Sequence, residues 1–168
     1  MNSLRFDPKG WEETYLTERN NLLYLLSNFD IAIEQIGATS IPNGRSDRNV
    51  DILIVAKTIP DVSSIAFKLQ NYGYKALAYL NTPELSALVK QQRVKGYGIT
   101  LRVVLNASQT HLRYNAFKEY LLDSYKNIKL YNDFREELQK KYRNDWKSYY
   151  RRKRDFINMT IDENFKFE

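Results

Sequence analysis

Cysteine is absent from this chain of 168 residues, and histidine occurs once, at His111. The lack of cysteine excludes disulfides, thiolate metal sites and cysteine nucleophiles. A single histidine excludes a multi-histidine metal site within one chain. No nucleophile elbow surrounds any serine, so a Ser-His-Asp triad is not supported. The six glycines form neither a Walker-type nor a dinucleotide-binding motif. The common signatures of hydrolases and of P-loop or Rossmann nucleotide sites are therefore missing.

Long apolar runs are missing as well. No run approaches the roughly 18–20 residues that span a membrane. The start, MNSLRFDPKGW, lacks the basic-then-apolar pattern of a signal peptide. We therefore expect a cytoplasmic protein of bacterial type with no membrane contact. The length suits one domain, or one domain with a small helical appendix, and 43% apolar residues are enough for a core.

The net charge of +6 is concentrated in one segment. Residues 138–155 hold eight Lys or Arg against two Asp, so this segment carries +6 and the rest of the chain is close to neutral. We favour a solvated helix face, while a surface for phosphates or nucleic acid is the alternative. On that alternative the basic contacts are Arg151, Arg152, Lys153 and Arg154. The aromatic side chains that could stack on bases are Tyr142, Trp146, Tyr149 and Tyr150.

Hydrophobic periodicity predicts a mixed order of helices and strands, and hence an α/β (α+β) fold. Strands are predicted at 31–36, 50–56, 74–80 and 99–105. Helices are predicted at 10–27 and 60–72, followed after residue 110 by two or three more that end in a frayed tail at 162–168. Residues 85–94 fit both a helical turn and a strand. The predicted organisation is an α/β core at 1–109 with helices at 110–168 packed on it, as one compact unit.

The rest of the chain is organised around residues 31–56, IAIEQIGATSIPNGRSDRNVDILIVA. An apolar strand ends at Gly37, a small polar turn follows, and a second apolar strand opens with the acidic residue Asp51. Two strands that flank a turn of glycine and hydroxyl residues are typical of a phosphate-binding corner. The loop between them also carries two arginines, Arg45 and Arg48.

The stretch IEQIGATSIPNGRSDRNVDILIV resembles the signature of the GrpB family, I-E-H-I-G-S-T-S-V-P-G-L-x-x-K-P-x-x-D-I. Counted from Gly37, Asp51 stands where the family has its aspartate. Residues 117–121, FKEYL, resemble the family's F-R-D-Y-L, and the spaced tyrosines and leucines from Tyr131 to Tyr142 also match its pattern. The resemblance therefore covers nearly the whole chain.

The resemblance implies the polymerase-β-type nucleotidyltransferase fold, with a mixed sheet flanked by helices and a C-terminal helical segment. In that superfamily a Gly-Ser turn holds the triphosphate, and two carboxylates one residue apart, with a third on a later strand, bind two divalent ions. The ions neutralise the charge of the transferred phosphoryl group and align the nucleophile with the leaving group. The implied cofactor is Mg²⁺.

Several residues of this chain depart from that pattern. Gly-Ser is Gly37-Ala38, the position of the second carboxylate is Leu53, and strand 99–105 offers Thr100 and Arg102 but no acid. One carboxylate alone holds a hard cation weakly. The predicted catalytic residue is Asp51, the predicted metal ligands are Asp51 and Glu34, and Asp47 is an alternative to Glu34. The predicted ligand-binding residues are Gly37, Thr39, Ser40, Arg45, Arg48 and Arg102.

These observations support three hypotheses of function. The first is a GrpB-like protein that binds a nucleotide or another phosphorylated metabolite at the turn 37–40. On this hypothesis the missing acids favour binding over nucleotidyl transfer. The second is a non-enzymatic protein that binds nucleic acid or an acidic partner through the basic aromatic segment 138–155. The third is a structural or interaction module, such as a dimer formed through the aromatic C-terminal helices.

Overall fold

The computed structural model describes residues 3–167 as five helices and five strands. Their order is α1 (Pro8–Leu25), β1 (Ile31–Ile36), β2 (Asn49–Ala56), α2 (Ile59–Gln70), β3 (Tyr74–Ala76), β4 (Leu85–Lys90), β5 (Gly98–Leu105), α3 (Gln109–Asp123), α4 (Tyr125–Lys141) and α5 (Trp146–Asn164). Two short 3₁₀ turns, Ala38–Ser40 and Ala78–Leu80, follow β1 and β3. The prediction of a mixed α/β fold is confirmed.

The five strands form one mixed sheet in the order β1-β2-β5-β4-β3. The central pair, β2 and β5, is parallel, and the other three pairs are antiparallel. Strand β2 is almost continuously apolar because both of its faces are covered, as is usual for a strand that pairs in parallel at the centre of a sheet. Residue 51 lies near the start of β2 and pairs with both neighbouring strands, so its position in the sheet is fixed.

Helices cover both faces of the sheet. On one face α1 and α2 pack on Val50, Ile52 and Ile54 of β2 and on the matching residues of β5. On the other face Leu53 packs with Ile36, Val55 and Val104, against Tyr114 of α3. Alternation along a strand sends residues 51, 53 and 55 to this second face, so Asp51 lies on the side of the C-terminal helices.

The C-terminal helices share a hydrophobic cluster with the turn that follows β1. Ala38 and Ile41 pack in one cluster with Phe117 of α3, Tyr131 of α4 and Ile161 of α5. This cluster holds the polar turn and the helical segment against each other. The division at residue 110 stays a prediction.

Local capping accounts for where the helices begin. Each of the five starts after a side chain that accepts a hydrogen bond from a backbone N–H of the first turn, which satisfies a group with no partner in the helix. These capping residues are Asp7, Thr58, Ser108, Ser124 and Asp145. Helix α4 ends at Lys141, and α5 begins after the capping residue Asp145.

Two local predictions needed correction, and one that was left open is decided. The third strand ends at Ala76, not at 80. The ambiguous segment 85–94 contains a strand, β4, because pairing with β3 and β5 satisfies its backbone. The predicted fraying of the tail is not observed up to residue 167. Helix α5 continues to Asn164, and the side chains of Phe165 and Phe167 pack on the helical cluster. Among residues 3–167, no helix has the length and apolar character needed to cross a membrane.

Candidate functional site

The turn after β1 depends on Gly37. Its backbone angles are φ 70° and ψ −167°, a region that is essentially restricted to glycine. A Cβ atom at this position would lie 3.1 Å from Oδ2 of Asp51. The absent side chain therefore lets the chain turn sharply and lets the Asp51 carboxyl approach its backbone.

The two hydroxyl residues of the turn have different hydrogen bonds. Ser40 Oγ donates to the Gly37 carbonyl at 2.8 Å, so its one proton is engaged within the turn. Thr39 Oγ1 accepts from the Gln35 side-chain amide at 3.2 Å, and the same amide donates to the Thr39 carbonyl at 3.0 Å. A hydroxyl that accepts one bond keeps its own proton. Of the two predicted donors, Thr39 is therefore the better placed to donate to a ligand.

Asp51 sits at the centre of this corner. It faces Ile36 across the antiparallel pair and Thr100 across the parallel pair. The Asn49 side-chain amide donates to Asp51 Oδ1 at 3.3 Å and to Thr100 Oγ1 at 2.6 Å, which links β2 to β5. Burial raises the pKa of Asp51, and the positive charges of Lys153 and Arg102 partly offset that effect.

The position two residues after Asp51 is apolar and closed. Leu53 is fully buried, and it lies in register between Glu34 of β1 and Arg102 of β5. Glu34 therefore shares the sheet face of Asp51, but one step further along the strands. The acidic side chain that acts most on the pKa of Asp51 is Asp47, which raises it. Asp47 therefore lies within electrostatic range of Asp51.

Basic side chains surround Asp51 from several elements. Arg102 of β5, Arg135 of α4 and Lys153 of α5 all lower its pKa by their positive charge. None of the three forms an ion pair with a carboxylate in the described part of the chain. The Tyr131 phenol and Asp51 raise the pKa of Lys153 against the opposing effects of burial and Arg135, so Lys153 is charged at neutral pH.

The two loop arginines point elsewhere. The Arg45 side chain forms an ion pair with Glu136 on the surface of α4. Arg48 lines a cavity of about 420 Å³ beside the start of α1, together with Trp11 and Tyr97. The structure therefore brings Gly37, Thr39, Asp51 and Arg102 together, but it places the guanidinium groups of Arg45 and Arg48 outside this corner.

The basic segment of α5 divides into two faces. Lys153 is partly buried toward the corner, whereas Arg151, Arg152 and Arg154 are exposed. The aromatic residues divide in the same way: Trp146 and Tyr150 are about half exposed, and Tyr149 is 1% exposed.

Arg135 was not among the predicted site residues, and Tyr149 was predicted only as an aromatic side chain that could stack on bases. Arg135 is 3% exposed, its Nη1 donates to the Arg45 carbonyl, and its guanidinium lies 5.1 Å from the centre of the Tyr131 ring. A sequence signal existed, since Arg135 lies four residues after Tyr131 and three before Leu138, on the buried stripe of α4. A charged residue at such a position indicates a polar role inside the fold.

The donor set was compared with the metal site that the resemblance implies. Within residues 3–167, no group of three or more His, Asp or Glu side chains is placed to hold a metal ion. The second-carboxylate position is the buried Leu53, and basic groups surround Asp51. Paired divalent ions need several oxygen ligands and little competing positive charge. These residues therefore do not fit a two-ion site.

Comparison with protein families gives one full-length match. The family model described as "GrpB protein" matches residues 4–163. The glutamate-rich protein GrpB of Alkalihalophilus pseudofirmus is 23% identical over 158 residues, which cover 92% of this chain and 91% of that protein. The UPF0157 protein PA4798 of Pseudomonas aeruginosa is 23% identical over 151 residues. That match covers 90% of this chain, which spans only 62% of the relative's length.

Solved structures show the same fold. The crystal structure of conserved protein GrpB from Enterococcus faecalis superposes with a TM-score of 0.80, at 21% identity, over 96% of this chain and 94% of that one. The Cid1 poly(U) polymerase bound to MgATP superposes with a TM-score of 0.52 at 10% identity, over 70% of this chain and 38% of that one. At these identities the likeness shows the fold, which is shared with nucleotidyltransferases.

Proposed function

The chain belongs to the GrpB family, and on that premise we propose that it binds a nucleotide or another phosphorylated small molecule at the corner formed by residues 37–40 and Asp51. The observation that carries this proposal is the convergence of a glycine-only turn, a free hydroxyl proton on Thr39 and the basic side chains Arg102 and Lys153. Phosphate oxygens accept hydrogen bonds from such groups.

The fold supports the ligand class. The Cid1 poly(U) polymerase, which shares this fold, binds MgATP. A fold alone does not determine a function, so the proposed phosphate binding depends on the side chains of the corner. A nucleotide ligand also fits the cytoplasmic location that the sequence predicts.

Binding is a better proposal for this corner than nucleotidyl transfer. Transfer in this fold uses carboxylates on neighbouring strands, and this chain has Leu53, Thr100 and Arg102 at the corresponding places beside Asp51. Mg²⁺ held by Asp51 with Glu34, or with the alternative Asp47, stays a prediction that the binding experiment can test.

The test is a calorimetric titration of the four common nucleoside triphosphates and of pyrophosphate into the protein, each with Mg²⁺ and with EDTA. We expect saturable binding of at least one of them. Gly37→Val places a side chain between the turn and Asp51 and should weaken binding by about tenfold or more. Gly73→Val is the matched control, because Gly73 also has a positive φ but lies in open space.

Two results would contradict the proposal. One is the failure of every nucleotide and of pyrophosphate to bind the folded protein. The other is binding that Gly37→Val and Gly73→Val affect equally, which would place the ligand elsewhere on the chain.

A second candidate function is nucleic-acid binding through the exposed face of α5. The observation that favours it is Trp146, which is 54% exposed and packs edge-on against Tyr150, with Arg151 and Arg154 exposed on the same helix. Single-stranded RNA should then bind with a steep dependence on salt. Trp146→Ala should weaken this binding, and Tyr24→Ala, at a more exposed aromatic of α1, should not.

A further inference from the structure

Two buried hydrogen-bond donors of α4 and α5 have no acceptor, and a charged lysine lies near them. Arg135 Nε and the Tyr149 hydroxyl are fully enclosed and have no hydrogen-bond partner among residues 3–167. Arg135 is only 3% exposed and Tyr149 only 1%. Lys153, also turned inward, approaches the Tyr150 ring at 5.9 Å, but its ammonium forms no ion pair with the acids of residues 3–167. We call these three residues the donor cluster.

The members of the donor cluster are neighbours. Tyr149 and Lys153 are four residues apart on α5 and so lie on one face of the helix. Burial lowers the pKa of Arg135, but the nearby Tyr131, Tyr149 and Asp47 outweigh it and raise the pKa overall. The Tyr149 hydroxyl therefore lies beside the guanidinium, although no hydrogen bond of normal geometry joins them.

The donor cluster lies within electrostatic range of the corner described above. Asp51 is among the charges that raise the pKa of Lys153, and both Lys153 and Arg135 act on the pKa of Asp51. Arg135 is held in place through Nη1, which donates to the Arg45 carbonyl in the loop between β1 and β2. That loop also contains the Gly37 turn, whose backbone lies close to the Asp51 carboxyl.

This arrangement needs an acceptor with negative charge. Buried donors in folded proteins are nearly always paired, and two adjacent cations repel each other unless an anion lies between them. The carboxylates nearby, Asp47 and Asp51, are in electrostatic range but make no direct ion pair with Arg135 or Lys153. An oxyanion offers several acceptor oxygens at once and matches the guanidinium, hydroxyl and ammonium donors.

We propose that Arg135, Tyr149 and Lys153 bind a phosphate group of the ligand at the Asp51 corner and supply the positive charge that divalent ions supply in nucleotidyltransferases. This inference rests on the proposed function and adds to it that binding needs no divalent metal. The phosphate group is the shared chemistry of a nucleotide, another phosphorylated metabolite and free pyrophosphate, and the ligands tested below distinguish these sources.

Asp51 has opposite effects on phosphate binding with Mg²⁺ and on phosphate binding without a metal. With Mg²⁺, Asp51 holds the ion, and Asp51→Asn abolishes binding. Without a metal, the Asp51 carboxylate only repels the phosphate, so Asp51→Asn leaves binding unchanged or strengthens it. This opposite sign makes Asp51→Asn a sharp test.

The experiment titrates ATP, adenosine and pyrophosphate into the protein in EDTA and again in Mg²⁺. Lys153→Met and Tyr149→Phe are compared with Lys126→Met, a matched control at an exposed lysine of α4. We expect ATP or pyrophosphate to bind equally well or better in EDTA. Lys153→Met should weaken this binding by about tenfold or more, and Tyr149→Phe by about threefold or more. Lys126→Met should not change it.

Thermal melting of each variant shows whether it is folded, and Tyr149→Phe tests the same cluster should Lys153→Met not fold. Binding that requires Mg²⁺ and is indifferent to both variants overturns this inference and leaves the proposed function standing. Binding of pyrophosphate alone, lost in Lys153→Met, supports the donor cluster and contradicts a nucleotide ligand. Failure of pyrophosphate and of all four nucleoside triphosphates to bind the folded protein overturns both proposals.

Discussion

Replacing Gly37 by alanine should destabilise the protein by about 2–4 kcal/mol. The backbone at φ 70° and ψ −167° lies in a region that costs a residue with a Cβ about 1–3 kcal/mol. The new Cβ would also lie 3.1 Å from Asp51 Oδ2, which is closer than an ordinary contact. Relieving that contact moves the carboxyl away from the Asn49 amide, which costs about 1 kcal/mol more.

Gly73→Ala separates these two contributions. Gly73 has φ 83°, and a Cβ there would meet nothing within 4 Å, so only the backbone cost of about 1–2 kcal/mol applies. Urea unfolding of both variants, followed by circular dichroism, gives the change in the free energy of unfolding. In the background Asp51→Ala, the carboxyl is gone and the cost of Gly37→Ala should fall by about 1 kcal/mol.

Equal costs for Gly37→Ala and Gly73→Ala would refute this reasoning, because they would show that the Asp51 carboxyl does not approach the Gly37 turn. A cost of Gly37→Ala that is unchanged in Asp51→Ala would refute it too. Either result would also weaken the case for a ligand site at this corner.

Three further substitutions test other parts of the structure. Burial raises the pKa of Asp51 in the folded protein above its value in the unfolded chain. The protein therefore has its full stability below the unfolded pKa of Asp51 and loses part of it as the pH rises through the folded pKa. Asp51→Asn should therefore raise the melting temperature at about pH 7.5 and much less at about pH 4, and equal shifts would contradict this. Glu18→Ala should cost about 3 kcal/mol in urea unfolding, because Glu18 is fully buried and leaves Lys90 unpaired. Lys57→Ala, at the exposed pair with Asp30, should cost at most about 1 kcal/mol, and a larger loss would show a role beyond that pair.

Local sequence signals predicted much of the sheet. Strand β1 has the predicted bounds, because a short apolar run ended by a glycine determines both ends. Strand β4 stayed ambiguous, because Leu85, Leu88 and Val89 fit both a helical and an extended period. Its pairing with β3 and β5 decides the conformation, and this pairing is not visible in a local window.

The candidate site was likewise predictable where neighbouring strands determine it, and not where distant elements do. The approach of Gly37 to Asp51 follows from the hairpin-like pairing of β1 with β2, where Ile36 faces residue 51. The inward position of Lys153 depends on how α5 packs on α4 and on the sheet, so the sequence grouped it with the exposed arginines beside it. The surface ion pair of Arg45 with Glu136 likewise joins residues that are 91 positions apart.

The most direct test of the account is an NMR titration of the isotopically labelled protein with ATP, in EDTA. If the phosphate group binds between the Gly37 turn and the donor cluster, the backbone amide signals of Gly37, Thr39, Tyr149 and Lys153 shift together and saturate with one dissociation constant. Shifts confined to the exposed residues of α5 or to the cavity at Trp11, or no shifts at all, would contradict it.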